Sequence, residues 1–231
     1  MTIRRGEAWG SEGSPDDVAG VAGSDASLAR LVAGSRATAG ASPAGPFLLT
    51  GGDLHRTLGA PRPDPERTVV HRFDCDVVSG TATTDDGAPL ELLAVAHVLG
   101  LPLARGFARR RERPGRVVPA EDVLAALWNG PSFVAANAAF VGDANLGPRA
   151  HPGDGLLDVS CGSMDRRDRR TARARMLVGA HLPHPGVVDV RTRSWASPPG
   201  VRYLLVSDGL ELGVCRDIRL VVLSDAVLVA V

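Results

Sequence analysis

All 26 basic residues of this chain are arginine, so any chemistry it performs falls to carboxylates, imidazoles, thiols and guanidinium groups. A P-loop lysine, a Schiff-base lysine and the ion-pairing lysine of protein kinases are excluded at once. Cys75, Cys161 and Cys215 are far apart without CxxC spacing, and read as buried small hydrophobes in a reducing compartment. No GxSxG and no local cysteine-protease signature occurs, which leaves nucleophilic hydrolysis without support. In Gly179 to Pro185, GAHLPHP, the prolines Pro183 and Pro185 forbid the helix that would align His181 with His184, so a zinc site is not expected. His55 and His97 are expected to pack or cap. In the turn His151 to Leu156, HPGDGL, Asp154 either bonds its own backbone, as aspartate does in tight turns, or offers oxygen to a hard cation. Arg105 to Arg116 holds six arginines against Glu112, and Asp165 to Arg175 holds six against two aspartates. Such runs can meet anionic lipid or phosphate, but a solvated loop and a solvent-facing helix are their commoner meanings.

The elements that must position these groups follow from composition and pattern. In 231 residues, 44% are hydrophobic and 26 acids balance 26 bases, which suits one large or two small soluble domains and excludes a generally polycationic nucleic-acid binder. Only 4% are aromatic, with 27 glycines and 17 prolines, so the core must be Val, Leu and Ala in short elements between many turns. The longest apolar stretch, Leu92 to Leu103, is interrupted by His97, Gly100 and Pro102 and is too short to span a bilayer; Met1 to Gly13 has no apolar signal region. A cytoplasmic protein without a transmembrane segment is expected, with peripheral membrane contact left open.

Val18 to Ala22 reads as a strand, Ser24 as the N-cap of a helix over Asp25 to Ala33, and Phe47 to Thr50 as a second strand. This βαβ-like piece is too small to bury both faces of a parallel sheet alone. From Thr68 the pattern turns to short strands: Val69 to Val78, Leu90 to Val98, Ser132 to Val141, Gly155 to Ser160, Val187 to Arg193, Val201 to Ser207, Asp217 to Leu223 and Ala226 to Val231. Helices are expected over Pro119 to Trp128 and Asp165 to Ala180. An antiparallel sandwich or barrel is the natural architecture.

The run Asn137 to Asp158, NAAFVGDANLGPRAHPGDGLLD, followed by GAHLPHP and by Ser207 to Gly209, SDG, resembles the C-terminal β-sandwich of bacterial diacylglycerol-kinase-like lipid kinases, relatives of NAD kinase. Thr50 to Gly59, TGGDLHRTLG, is similar to that family's GTxNDxARxLG segment, and Gly23 to Ser27, GSDAS, stands where its GGDGT falls. The resemblance implies an α+β fold: a truncated α/β remnant over residues 1–64, lacking about the first third of the nucleotide-binding domain, and an NAD-kinase-like β-sandwich over 65–231. It implies nucleotide contacts at Asp25, Ser27, Thr50, Asp53 and Arg56, and a structural magnesium held by Asp154 with atoms of His151 and Leu156. ATP would be the phosphoryl donor of an active member.

Departures from the family pattern bear on the chemistry it implies. Phosphoryl transfer requires backbone amides around the phosphates, a cation on them and a base for the acceptor hydroxyl. Ser24 and Ala26 place a Cβ where the family has glycine, and Gly52 stands where it has asparagine. Leu210 occupies the position of the family's basic glutamate in DGE, leaving Asp208 and the neighbouring Glu211 as the candidate catalytic acids. Strand alternation turns Glu211 to the opposite face unless a bulge intervenes. The expectation is a catalytically degenerate lipid-kinase-like protein that binds a lipid or nucleotide ligand or a partner chain. The alternative is an ATP-dependent lipid kinase whose nucleotide site another chain completes. An exposed α/β edge makes a homodimer an expected partner arrangement.

Overall fold

The structure is a computed structural model and describes residues 9–39, 44–59, 69–103 and 113–231. In chain order, β1 (Ser11–Gly13) and a single 3-10 turn lead to β2 (Gly20–Ala22), α1 (Asp25–Ala39), β3 (Ala44–Leu49) and α2 (Asp53–Thr57). Then come β4 (Val70–Thr84), β5 (Pro89–Ala94), β6 (His97–Pro102), α3 (Ala120–Ala126), β7 (Ser132–Ala136), and the small hairpin of β8 (Phe140–Val141) and β9 (Ala144–Asn145). The chain continues through β10 (Leu157–Gly162), α4 (Arg166–Met176), β11 (Val187–Thr192), β12 (Ser194–Ala196), β13 (Tyr203–Ser207) and β14 (Leu210–Ala230). The protein is thus mostly sheet with a few helices, and no helix among the described residues is long and apolar enough to cross a membrane.

Twelve strands form one sheet, whose main path runs β1-β4-β14-β13-β6-β7-β10-β11. Every neighbouring pair on that path is antiparallel. The parallel contacts belong to the βαβ piece, where β3 lies between β2 and the C-terminal end of β14. One long strand therefore ties the residues on both sides of position 64 into a single hydrogen-bonded sheet. Helix α1 packs on that parallel corner through Leu28, Ala29 and Val32, one apolar stripe at helical spacing that faces Phe47, Leu49 and Val229 in the same core cluster. Burying a side chain such as Leu28 or Val32 contributes about 1.5–3 kcal/mol.

Two departures from the expected elements have definite physical causes. The expected strand Leu90 to Val98 is two strands, because the backbone bends at Val95 and Ala96 around the carboxylate of Asp208. The two expected strands Asp217 to Leu223 and Ala226 to Val231 are parts of the single β14, whose register shifts between Arg216 and Arg219 and between Leu223 and Val227. Asp217 and Asp225 sit at those shifts with φ of 52° and 51°, so the polar residues that read as turn punctuation mark bulges instead. Helix α4 is as expected a solvated element: only Ala172 and Met176 are buried in it. Of the first arginine run, Arg105, Arg109, Arg110 and Arg111 lie outside the described residues.

Candidate functional site

Chains that run β2-α1 and β3-α2 bring two loops side by side at the carboxyl ends of parallel strands, the place where open α/β sheets collect ligands. Thr50 joins the loops, because its N–H and its hydroxyl both donate to Ala22 O at 2.9 and 3.3 Å. Asp25 begins α1 from the first loop and Asp53 begins α2 from the second. Asp208 comes from the turn between β13 and β14 and faces them across the cleft.

Each of these carboxylates is held by main-chain amides. Asp25, 5% exposed, accepts from Asp53 N at 2.6 Å and Leu54 N at 3.2 Å, so it caps α2 from another helix. That cap requires glycine at position 52: φ there is 106°, and a Cβ would stand 2.5–2.7 Å from the Asp25 carboxylate. Asp208 accepts three bonds of 2.9 Å, from Val95 N, Ala96 N and His97 N, which fixes the bend between β5 and β6. Asp53 accepts from Gly142 N at 2.9 Å through one oxygen and turns the other toward His97 Nδ1 at 4.0 Å. His97 Nε2 lies 2.8 Å from Ala138 O, and a carbonyl only accepts, so that nitrogen carries the proton and Nδ1 offers a lone pair to the cleft.

Packing three acids together shifts their protonation. Burial, then the negative charges of Asp208 and Asp53, push Asp25 up to about 8, against the pull of its two backbone bonds. Burial pushes Asp53 up to about 6, opposed by the Gly142 amide and Arg56. Asp208 is also raised, first by burial and then by Asp53, although three amides hold it down. Burial lowers His97 to about 4 and keeps its imidazole neutral.

The other predicted site residues have local partners. Ser24 and Ser27 cap α1 reciprocally: Ser24 N donates to Ser27 Oγ at 2.9 Å, and Ser27 N to Ser24 Oγ at 3.3 Å. Arg56 docks on the β8–β9 hairpin, donating to Gly142 O at 2.6 Å and Asp143 Oδ1 at 3.0 Å, with its guanidinium 4.3 Å from the Phe140 ring centroid. Glu211 is 4% exposed and accepts from Arg113 N at 2.7 Å and Arg116 Nε at 3.1 Å. The β13–β14 register contains a bulge, but the extra residue is Leu212, beyond Glu211, so residues 210 and 211 alternate normally after the Asp208–Gly209 turn. Leu210, with Asp208, Ser207 and the α1 residues Ala26, Ala29 and Arg30, lines a cleft cavity of about 220 Å³.

The HPGDGL turn lies apart from the three clustered acids. Asp154 accepts from Leu156 N at 2.9 Å through one oxygen and pairs with Arg191 through the other. His151 accepts from Gly153 N at 3.2 Å and packs against Trp9 with ring centroids 4.3 Å apart and planes tilted by 55°. These contacts match the tight-turn arrangement, and a cation on Asp154 would share its carboxylate with the Arg191 guanidinium. Among the described residues, no group of three or more His, Cys, Asp or Glu side chains is arranged to hold a metal.

Two residues that organise the site escape sequence inspection. Asp76, fully buried in β4, accepts from Gly155 N at 2.6 Å and Asp225 N at 3.0 Å, anchoring the HPGDGL turn. Asn137 donates to Asp76 O at 3.0 Å and Val95 O at 2.8 Å, linking that anchor to the bend held by Asp208. The available signal for Asp76 was an acid inside an otherwise apolar strand, Asp76-Val77-Val78, which demands a buried donor.

No protein-family model matches the chain, and no curated protein matches it. Solved structures do. A candidate diacylglycerol kinase from Bacillus anthracis str. Sterne has a TM-score of 0.61 at 11% identity, over 90% of this chain and 76% of that one. A second structure of a candidate diacylglycerol kinase from that organism gives 0.59 at 14% identity, covering 90% and 75%. A third, of a diacylglycerol kinase from the same organism, gives 0.53 at 12%, covering 90% and 74%. The chain has a diacylglycerol-kinase-like fold.

Proposed function

We propose that this chain is a lipid-kinase-like protein that binds a lipid or nucleotide ligand at the cleft without transferring phosphate by itself. The observation that carries this reading is the side chain next to Asp208 in the cleft, Leu210, while Asp208 itself is engaged by three backbone N–H groups, two on Oδ1 and one on Oδ2. A general base needs an oxygen lone pair within reach of the acceptor hydroxyl, and a hydrocarbon supplies none. Glu211, the nearest alternative in sequence, is engaged with Arg113 and Arg116. The reciprocal Ser24–Ser27 cap supports the same conclusion, because it occupies amides that a phosphate cradle would have to present. The reading as a degenerate β-sandwich protein rests on the family resemblance together with these contacts.

A second reading, an ATP-dependent lipid kinase completed by another chain, is favoured by one observation. The Asp53 oxygen facing His97 Nδ1 accepts no hydrogen bond among the described residues, and so keeps a lone pair for a proton or a cation. Incubation of the purified chain with γ-labelled ATP, magnesium and mixed diacylglycerol micelles separates the two. The expected result is no labelled lipid above a heat-treated control, while equilibrium dialysis detects nucleotide or lipid binding. Turnover that disappears in Asp53→Ala would establish the kinase reading instead.

A further inference from the structure

A second cavity, of about 210 Å³, is built on β10 and β11, away from the three acids of the cleft. The register pairs Ser160 with Asp189 and Asp158 with Arg191, so these polar side chains share one face. Asp158, Ser160 and Asp189 line the cavity, Arg149 and Pro148 enter from the loop after β9, and Leu182 closes another side.

Asp158 is the unusual member. It is 6% exposed, yet neither carboxylate oxygen accepts a hydrogen bond. Arg191 Nε stands 3.4 Å from Oδ1 and Arg149 Nη2 3.9 Å away, near enough for attraction but not donating. Their close contacts go elsewhere, Arg149 to Asp189 at 2.8 Å and Arg191 to Asp154. The adjoining His181, 4% exposed, likewise has no hydrogen-bond partner on either ring nitrogen. Leaving a buried charged acceptor unmet costs more than leaving a neutral one unmet, which marks this position as one a ligand could complete.

The charges specify what is lacking. Counted as ionised, Asp154, Asp158 and Asp189 outnumber by one the two guanidinium groups, of Arg149 and Arg191, that face them. We propose that this cavity binds a small organic monocation, an alkylguanidinium or alkylammonium group, that donates two N–H bonds to Asp158 and lays a short apolar stem against Pro148 and Leu182. A planar guanidinium fork matches a carboxylate with two open oxygens, and the Ser160 hydroxyl is a further acceptor on the floor. A neutral polyol could meet the oxygens but not the charge. A divalent metal would require more carboxylate or imidazole ligands than the described residues converge on here. This inference is independent of whether the cleft binds nucleotide or lipid.

Isothermal titration of the purified chain with n-propylguanidinium, n-propylammonium and glycerol tests it. Saturable one-to-one heat is expected for the cations and none for glycerol at equal concentration. Asp158→Asn should weaken guanidinium binding at least about tenfold, equivalent to about 1.4 kcal/mol. Asp85→Asn, at an exposed acid paired with Arg202, should leave binding unchanged. Leu182→Phe, which fills the apolar side while keeping the acid, should also abolish binding, so the inference does not depend on Asp158→Asn folding. The His181 ring resonances should shift during the titration. The proposal fails if neither cation saturates, if glycerol binds equally well, or if Asp158→Asn binds as tightly as the wild type. Tighter binding of N-acetylarginine amide than of n-propylguanidinium would overturn the free small molecule in favour of a protein side chain.

Discussion

Asp25 and Asp158 are shielded from water to nearly the same degree, 5% and 6% exposed, yet Asp25 accepts two backbone hydrogen bonds in the cleft and Asp158 accepts none in the β10–β11 cavity. Asp208 extends the contrast with three. Carboxylates engaged by the main chain serve the scaffold: they hold a helix start and a strand bend. A carboxylate left open by the main chain is free for a partner from outside. The family resemblance points toward the cleft, whereas the buried carboxylate that accepts no hydrogen bond on either oxygen lies in the other cavity.

The largest expected effect of breaking this contrast is at Asp208. Asp208→Ala strips the acceptor from three amides and puts alanine at φ 45°, so a loss of about 3 kcal/mol or more is expected in urea unfolding. Next is Gly52→Ala, which combines a positive φ with collision against Asp25; a loss of about 2 kcal/mol is expected in thermal melts, and a neutral result would mean that Asp25 does not hold α2.

A pH series sharpens the same point. Asp25 has a folded value of about 8, above its ordinary 3.8, so the folded state holds a proton that the unfolded chain has released. Stability from this group is therefore lost as pH rises toward 8, on the order of 1 kcal/mol per pH unit. His97, lowered to about 4 from 6.5, acts with opposite sign only below its unfolded value, and leaves the window above that to the carboxylate. Melting temperature should fall between about pH 6.5 and about pH 8, and Asp25→Asn should flatten that slope. The smallest effect is Ser24→Ala, which removes one half of the α1 cap at a cost of about 1 kcal/mol, measurable in the same melts.

What the sequence disclosed was local. Ser24 as a cap, the start of α1 at Asp25 and its stripe of Leu28 and Val32 depend on residues within a turn or two of one another, and each is found where spacing places it. What it concealed was remote. The break in Leu90 to Val98 is imposed by Asp208, more than a hundred residues away, and no property of Val95 or Ala96 announces it. Asp225 reads as a turn residue because its propensity is the same in a bulge as in a loop; only the pairing of β14 with β4 decides between them. The open state of Asp158 was hidden for a similar reason. Its position in DGLLD is evident, but the Arg149 and Leu182 that make a cavity around it come from separate loops.

Measuring the unfolding free energies of Asp208→Asn and Asp158→Asn side by side tests the central contrast most directly. Both substitutions keep side-chain shape and remove charge. If the cleft acids are scaffold, Asp208→Asn should lose about 2 kcal/mol or more, because an amide cannot accept three N–H bonds. Asp158→Asn breaks no hydrogen bond and removes an unmet buried charge, so it should lose clearly less stability than Asp208→Asn or gain some. The reverse order, with Asp158→Asn the more damaging, would contradict the account.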